Sequence, residues 1–265
     1  VTVDARSALL DLYEEHLLAR GGAAPVAALV RLLAPLAISA PAVRTAVSRM
    51  ARQSWLIAVR VDGAPGYALS PRAVAQVSAR TRRAALEREP WDGRWHLLVV
   101  SPPGGRAARE RLAAGLRALG YGSLGESGRA ATWISPRVTD AADSLLVTHG
   151  ARAERFTARH DGDSQALIAR AWDLEALARA YRRFLDQGEN SAQIEAAGDS
   201  AAFERRAYLV REWRTFRGLD PGLPAALLPP DWPGSKVEEW FRAEMARLTP
   251  AADAFVDACL TGRPA

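Results

Sequence analysis

The sequence predicts a chain of the α+β class. Three observations carry this: apolar residues at helical spacing towards both ends, a strand–turn–strand pattern after the third helix, and alternating strand and helix signals in the middle. At 265 residues the chain has room for two or three compact units. Hydrophobic residues make up 49% and charged residues 25%, an ordinary globular balance that excludes disorder, collagen and coiled coil as whole-chain readings.

The first helix spans residues 7–19, with Leu9, Leu10, Tyr13 and Leu17 as its apolar positions and Ser7 as its expected N-cap. Gly21-Gly22 ends it. Pro25 opens a second helix with Val26, Leu29, Val30 and Leu33 on one face, and the turn Pro35–Ser39 leads to a third helix, Ala40–Ser54. Trp55–Val61 reads as a strand, Asp62-Gly63-Ala64-Pro65 as turn chemistry, and Gly66–Leu69 as the returning strand. Three helices and a two-stranded ribbon in this order describe a winged helix-turn-helix.

Residues 71–89 are expected to form a connector helix ending at Pro90. Beyond it, Trp95–Val100 is a strand and Arg106–Leu119 an amphipathic helix. Strands are expected near Gly122–Glu126 and Ala130–Ile134, a helix near Thr139–His149 and a closing strand at Ala153–Ala158. The order βαββαβ is that of the ferredoxin-like split unit. Helices are expected at 163–186 and 200–217, with a loop over Gln187–Asp199 between them. A Pro-rich extended segment follows, then a helix from Ser235 to Leu248 and a last one after Pro250. The expected division is therefore residues 1–70 as a winged helix-turn-helix domain, 71–90 as a connector helix, 91–162 as a ferredoxin-like middle domain and 163–265 as a mainly helical C-terminal domain.

Charge is uneven along this plan. Residues 1–90 hold 12 Arg and 7 acids, and between Arg20 and Arg83 ten Arg face the single acid Asp62. A basic N-terminal third is the electrostatic footprint of nucleic-acid binding, because phosphates supply the counter-charge. On a helical wheel of the third helix, Val43, Ala46, Val47, Met50 and Ser54 gather on the core side. Thr45, Ser48 and Arg52, flanked by Arg44 and Arg49, form the outward side, where no acid interrupts groups suited to phosphates and base edges. A helix-turn-helix lays this helix in the major groove of double-stranded DNA. Arg60 on the wing is a further contact for a phosphate or the minor groove.

Other chemistries find little support. Gly120-Tyr121-Gly122-Ser123-Leu124-Gly125 matches G-x-G-x-x-G, but it follows a helix and enters a strand, the reverse of a dinucleotide site. Ser123 has Tyr121 two residues before it, so no nucleophile elbow exists. His16, His96, His149 and His160 show no metal-ligand spacing, and Cys259 is the only cysteine. No catalytic residues, cofactor or metal are expected, and the chain is expected not to be an enzyme. No apolar stretch reaches the roughly 18–20 residues of a membrane span, and Val1–Arg6 lacks a signal peptide's apolar region. A cytoplasmic protein without membrane association is expected.

A set of motifs in fixed order resembles the PaaX family, bacterial repressors of phenylacetic-acid degradation operons. They are Arg20-Gly21-Gly22, Val43-Arg44-Thr45-Ala46 followed by Ser48-Arg49-Met50, Trp55 at the wing, and Tyr67-Ala68-Leu69-Ser70. They continue with Trp91-Asp92-Gly93-Arg94-Trp95 and the Pro-rich run from Asp220 to Gly234. Two features depart from the family pattern: Ser54 stands where a Gly is usual before the wing Trp, and the chain runs only to Ala265, without the longer tail of some members. The resemblance implies a homodimeric repressor on an imperfect palindromic operator, released by a small-molecule effector, an aryl-CoA thioester such as phenylacetyl-CoA.

A CoA thioester needs arginines for its phosphates and an aromatic surface for its adenine. Arg211, Trp213, Arg214 and Arg217, with Phe216 beside them, supply these on one helix, and Arg214 matches a basic position of the family pattern. The middle domain also resembles that of CRISPR-associated endonucleases, which makes a metal-dependent nuclease the alternative. Those enzymes place an Asp at the end of the first strand, where this chain has Ser101, and Asp92 precedes that strand. An aryl-CoA-binding enzyme is a third reading, with neither nucleophile nor base to serve it.

Overall fold

The computed structural model describes residues 4–77, 91–101, 104–127, 130–192, 198–217 and 219–262, except for the side chains at 126, 127, 191, 192, 216 and 217. The chain divides into two compact units, each assembled from separated stretches. The first comprises Val1–Arg83, Leu185–Trp213 and Lys236–Ala265, and the second Ala84–Phe184 and Arg214–Ser235.

In the first unit, α1 (Ala5–Leu12) is capped by Asp4 rather than by Ser7: the Asp4 carboxylate accepts the Ser7 N–H at 3.1 Å and the Ser7 hydroxyl as well. The helix then widens into a π turn at Tyr13–Leu17 and tightens into a 3₁₀ turn at Leu18–Arg20. A short strand β1 (Ala23–Pro25) precedes α2 (Val26–Leu33). The turn after α2 holds Ala37 at φ 58°, and Ser39 caps α3 (Ala40–Arg52) by accepting the Ala42 N–H. The wing is β2 (Leu56–Val61) and β3 (Ala64–Leu69), joined through Asp62 and Gly63, both at positive φ. Residues 71–77 form α4, the start of the expected connector helix, whose remainder lies outside the described residues.

Two expectations for this part change. The sheet has three strands in the order β1-β3-β2, not two. At three residues, β1 is too short to show alternation, and Gly66 of β3 lets it approach: a Cβ there would meet the Ala24 carbonyl oxygen at 2.7 Å. Ser54 is exposed and outside α3, at φ 58°, so it does not belong to the core face. That left-handed conformation accounts for the glycine usual at this position in the family the sequence resembles.

The first unit's core is drawn from both ends of the chain. Leu9, Tyr13, Leu29, Val43 and Met50 are fully buried with Phe203, Ala252, Phe255, Val256 and Cys259 of the later helices.

The second unit contains the βαββαβ order: β4 (Trp95–Ser101), α5 (Arg106–Ala118), β5 (Gly122–Ser127), β6 (Ala130–Ser135), α6 (Ala141–Thr148) and β7 (Arg152–Ala158). Its antiparallel sheet runs β5-β6-β4-β7, the ferredoxin-like arrangement. Leu98, Val100 and Trp133 meet Leu112, Leu116 and Leu146 of the two helices on one face. Trp95 and Ile134 on the other face meet Leu167 and Ile168 of α7 (Ser164–Ala171), with Leu223 and Leu227 of the Pro-rich run. Gly120, at φ 87°, stops α5, so the G-x-G-x-x-G match is a helix end and strand start.

The remaining helices are α8 (Leu174–Ala192), α9 (Asp199–Arg217) and α10 (Gly234–Thr261). Three expectations fail here. The helix expected at 163–186 is two, because Trp172 is extended (φ −136°, ψ 144°) between α7 and α8. Residues 187–192 of the expected Gln187–Asp199 loop are helical, since α8 runs on to Ala192, and residues 193–197 lie outside the described residues. The break expected at Pro250 is absent: Pro250 lies inside α10, where Thr249 Oγ1 donates to the Met245 carbonyl and Ala252, Phe255 and Val256 are buried in the core. Among the described residues no helix is long and apolar enough to cross a membrane.

Candidate nucleic-acid interface

Helix α3 has two unlike faces. Val43, Ala46, Val47 and Met50 are at most 3% exposed and fix its rotation in the core. Arg44, Thr45, Ser48, Arg49 and Arg52 are all exposed, and none of the three arginines makes a hydrogen bond or ion pair among the described residues. Each guanidinium therefore keeps its five N–H donors available. One acid approaches from another element. Burial raises the Asp4 carboxyl, but the Ser7 N–H and hydroxyl, the Arg6 N–H and the charge of Arg49 outweigh this and hold it below the usual range. A wheel of α3 alone could not show that neighbour.

The wing is tied down at its base and tip. Ser70 donates its hydroxyl to the Ser54 carbonyl at 2.8 Å, and the Arg6 guanidinium lies 5.0 Å over the Trp55 ring. Tyr13 in the π turn donates to the Tyr67 carbonyl at 2.6 Å, and burial holds its phenol above the ordinary range. At the tip, Arg60 is exposed and donates through Nη2 to the Gly63 carbonyl at 2.6 Å, which lays its guanidinium along the hairpin end. Arg6 and Tyr13 support the wing, a role that no local pattern announces, because their partners Trp55 and Tyr67 lie about fifty residues away.

The C-terminal helices are tied to the same unit by polar contacts. Arg20 reaches Asp257 at 2.7 Å and Asp253 at 3.0 Å, and Arg31 donates to the Cys259 carbonyl. Arg206 of α9 meets Glu15 through Nη2 and His16 Nε2 through Nη1, each at 3.0 Å. A guanidinium can only donate, so His16 Nε2 accepts and is unprotonated. The ring proton sits on Nδ1 and faces Asp253 Oδ1 at 3.4 Å. Burial, with the charge of Arg206, lowers the His16 pKa to about 4, so the ring is neutral and the Asp253 contact is a hydrogen bond rather than an ion pair.

The four residues considered for an effector lie on α9 but are not gathered into one described site. Arg211 is half-buried, 5.5 Å from the Tyr208 ring, and Trp213 stacks on Phe241 at 4.5 Å and 9°. Arg214 and Arg217 fall in the second compact unit, and the Arg217 side chain lies outside the described residues. In the middle domain β4 ends in exposed Ser101, and Asp92 Oδ1 accepts the Arg94 N–H in a turn. Among the described residues no three His, Cys, Asp or Glu side chains gather as a metal site.

Three family descriptions match successive stretches: PaaX-like protein over residues 4–73, PaaX protein central Cas2-like domain over 88–168, and PaaX-like protein C-terminal domain over 172–258. The chain is 28% identical to the Transcriptional repressor PaaX of Escherichia coli (strain K12), over 97% of this chain and 84% of that protein. Among solved structures it is similar to the uncharacterized protein Rv0674 from Mycobacterium tuberculosis, with a TM-score of 0.66, 27% identity, and coverage of 95% of this chain and 98% of that one. With all three parts matched in order, the chain belongs to the PaaX family.

Proposed function

We propose that the chain is a DNA-binding transcriptional repressor that lays α3 in the major groove, with Arg44, Thr45, Ser48, Arg49 and Arg52 facing the bases and phosphates and Arg60 of the wing on the adjoining backbone. The observation that carries this reading is the exposed, unpaired Arg/Ser/Thr face of α3, held in place by a fully buried opposite face. The protein works as a cytoplasmic homodimer on an imperfect palindrome before a catabolic operon. An aryl- or acyl-CoA thioester such as phenylacetyl-CoA releases it. Arg211 and Trp213, with Arg214 and Arg217 further along α9, are the residues offered to the thioester's phosphates and adenine. Kinship to a repressor supports a regulator rather than an enzyme.

The test is a gel shift on the chain's own upstream DNA, titrated with a panel of aryl- and acyl-CoA thioesters. Arg44→Ala and Arg49→Ala are expected to weaken binding, and affinity is expected to fall steeply with salt. Undiminished binding by both variants removes α3 from the interface. Cleavage of the DNA in Mg²⁺ or Mn²⁺ would instead support the nuclease alternative.

A further inference from the structure

Within the first unit a cavity of about 180 Å³ opens between α1 with its π turn, the turn Pro35–Ala37 and α9. Its apolar walls include buried Leu12, Leu33, Phe203 and Val210 with half-buried Leu36. Glu15, His16 and Arg206 complete it. Two features at its edge are out of the ordinary. The backbone widens into a π turn at Tyr13–Leu17, a distortion frequent at functional sites. Ala37, a residue with a Cβ, is held at φ 58° two residues before the cap of α3.

The lining also defines what fits. Arg206 and Arg211 are matched by Asp11, Glu15 and Glu204, so the walls offer no net positive charge for an anion. Arg206 commits Nη1 to His16 and Nη2 to Glu15, while its Nε is buried without an acceptor among the described residues. A dry cavity of about 150 Å³ accepts benzene, so this volume suits one ring with a short substituent.

We propose that this cavity binds a neutral, ring-sized apolar group, and that its occupancy repositions the Pro35–Ala37 turn leading into α3. The inference rests on the ligand-released repressor reading and locates its control point. A group seated against Leu36 presses on the two-residue lead into Ser39, the cap that sets where α3 begins. A bulky anionic carrier stays outside, past Tyr208 and Arg211 at the cavity's α9 side.

The test uses the full chain and 4-fluorophenylacetamide as a neutral probe, followed by fluorine NMR. Saturable binding with magnetisation transfer to the Leu36 and Val210 methyls is expected. Ala207→Phe, and separately Ala8→Leu from the facing wall, should weaken the probe by about tenfold or more while ligand-free DNA affinity stays within about threefold. The same variants should resist release by phenylacetyl-CoA. Absence of saturable binding to the wild type, transfer to methyls elsewhere, or unchanged probe affinity in both variants overturns the site. The wild-type transfer measurement decides the matter even if a variant fails to fold. If the thioester releases wild type and variants alike, the site fails and the ligand-release reading stands. If the probe seats here but no thioester releases DNA, that reading fails and the site stands.

Discussion

On α3, Arg44, Arg49 and Arg52 stand exposed and make no hydrogen bond or ion pair among the described residues, whereas in the same compact unit Arg20 and Arg206 are each held by two groups from another part of the chain. Counting charge along the sequence treats them alike. The structure separates them by what lies opposite: Asp253 and Asp257 of α10 take up Arg20, and Glu15 with neutral His16 takes up Arg206. The open arginines remain available for an external counter-charge, and the occupied ones hold the scaffold that aims them.

The comparison breaks hardest at Phe203, which is 2% exposed, 5.4 Å from the His16 ring and 5.1 Å from Phe255. Phe203→Ala should cost about 3–5 kcal/mol in urea unfolding. A loss below about 1 kcal/mol would show that the C-terminal helices contribute little to this core.

Acidification comes next. His16 is neutral in the folded chain, with a pKa near 4, and titrates near 6.5 when unfolded. Below 6.5 the unfolded state binds the extra proton, so stability falls as pH drops from 6.5 towards 4, by roughly 3 kcal/mol, and this contribution then levels off. Asp4 and Glu244, both held below their ordinary range, add losses only at lower pH. Unfolding curves at pH 7 and pH 4.5 should diverge for the wild type and diverge much less for His16→Gln.

Arg44→Ala and Arg49→Ala should each remove about 1–3 kcal/mol of specific DNA binding while leaving unfolding within about 0.5 kcal/mol. Fluorescence anisotropy on the upstream DNA, paired with urea curves, separates the two effects. Equal losses in both assays would erase the distinction between open and occupied arginines. The smallest effect belongs to Arg20→Ala, about 1 kcal/mol of stability, because both its acid partners are at least one-third exposed and water screens them. Its loss of DNA affinity should be smaller than that of Arg44→Ala.

What the sequence made legible follows the range of the interaction. The faces of α3 were readable because Val43, Ala46, Val47 and Met50 repeat at i, i+3, i+4 and i+7 within one helix. The βαββαβ order was readable because each element carries its own apolar period. The Asp4 cap was missed because Ser7, three residues on, is also a good capping residue. Continuity of α10 through Pro250 was missed because local propensity argues for a break, and burial of Ala252, Phe255 and Val256 overrides it. The extended Trp172 belongs with its long-range packing: the ring stacks 6.1 Å from Trp95, and Gly122 leaves room for it. The clamp of His16, Arg20 and Arg206 joins residues 190 and 237 positions apart, and no local pattern announces such pairs.

That separation has a consequence for synthesis. A ribosome adding about 5–20 residues each second finishes Asp253 and Asp257 roughly ten to fifty seconds after His16 and Arg20 have emerged. Until then Tyr13, Leu29 and Val43 lack the apolar groups of α10 that complete their core. A nascent or truncated chain therefore carries the basic helix without the frame that orients it, and well-aimed binding waits for translation to reach α10.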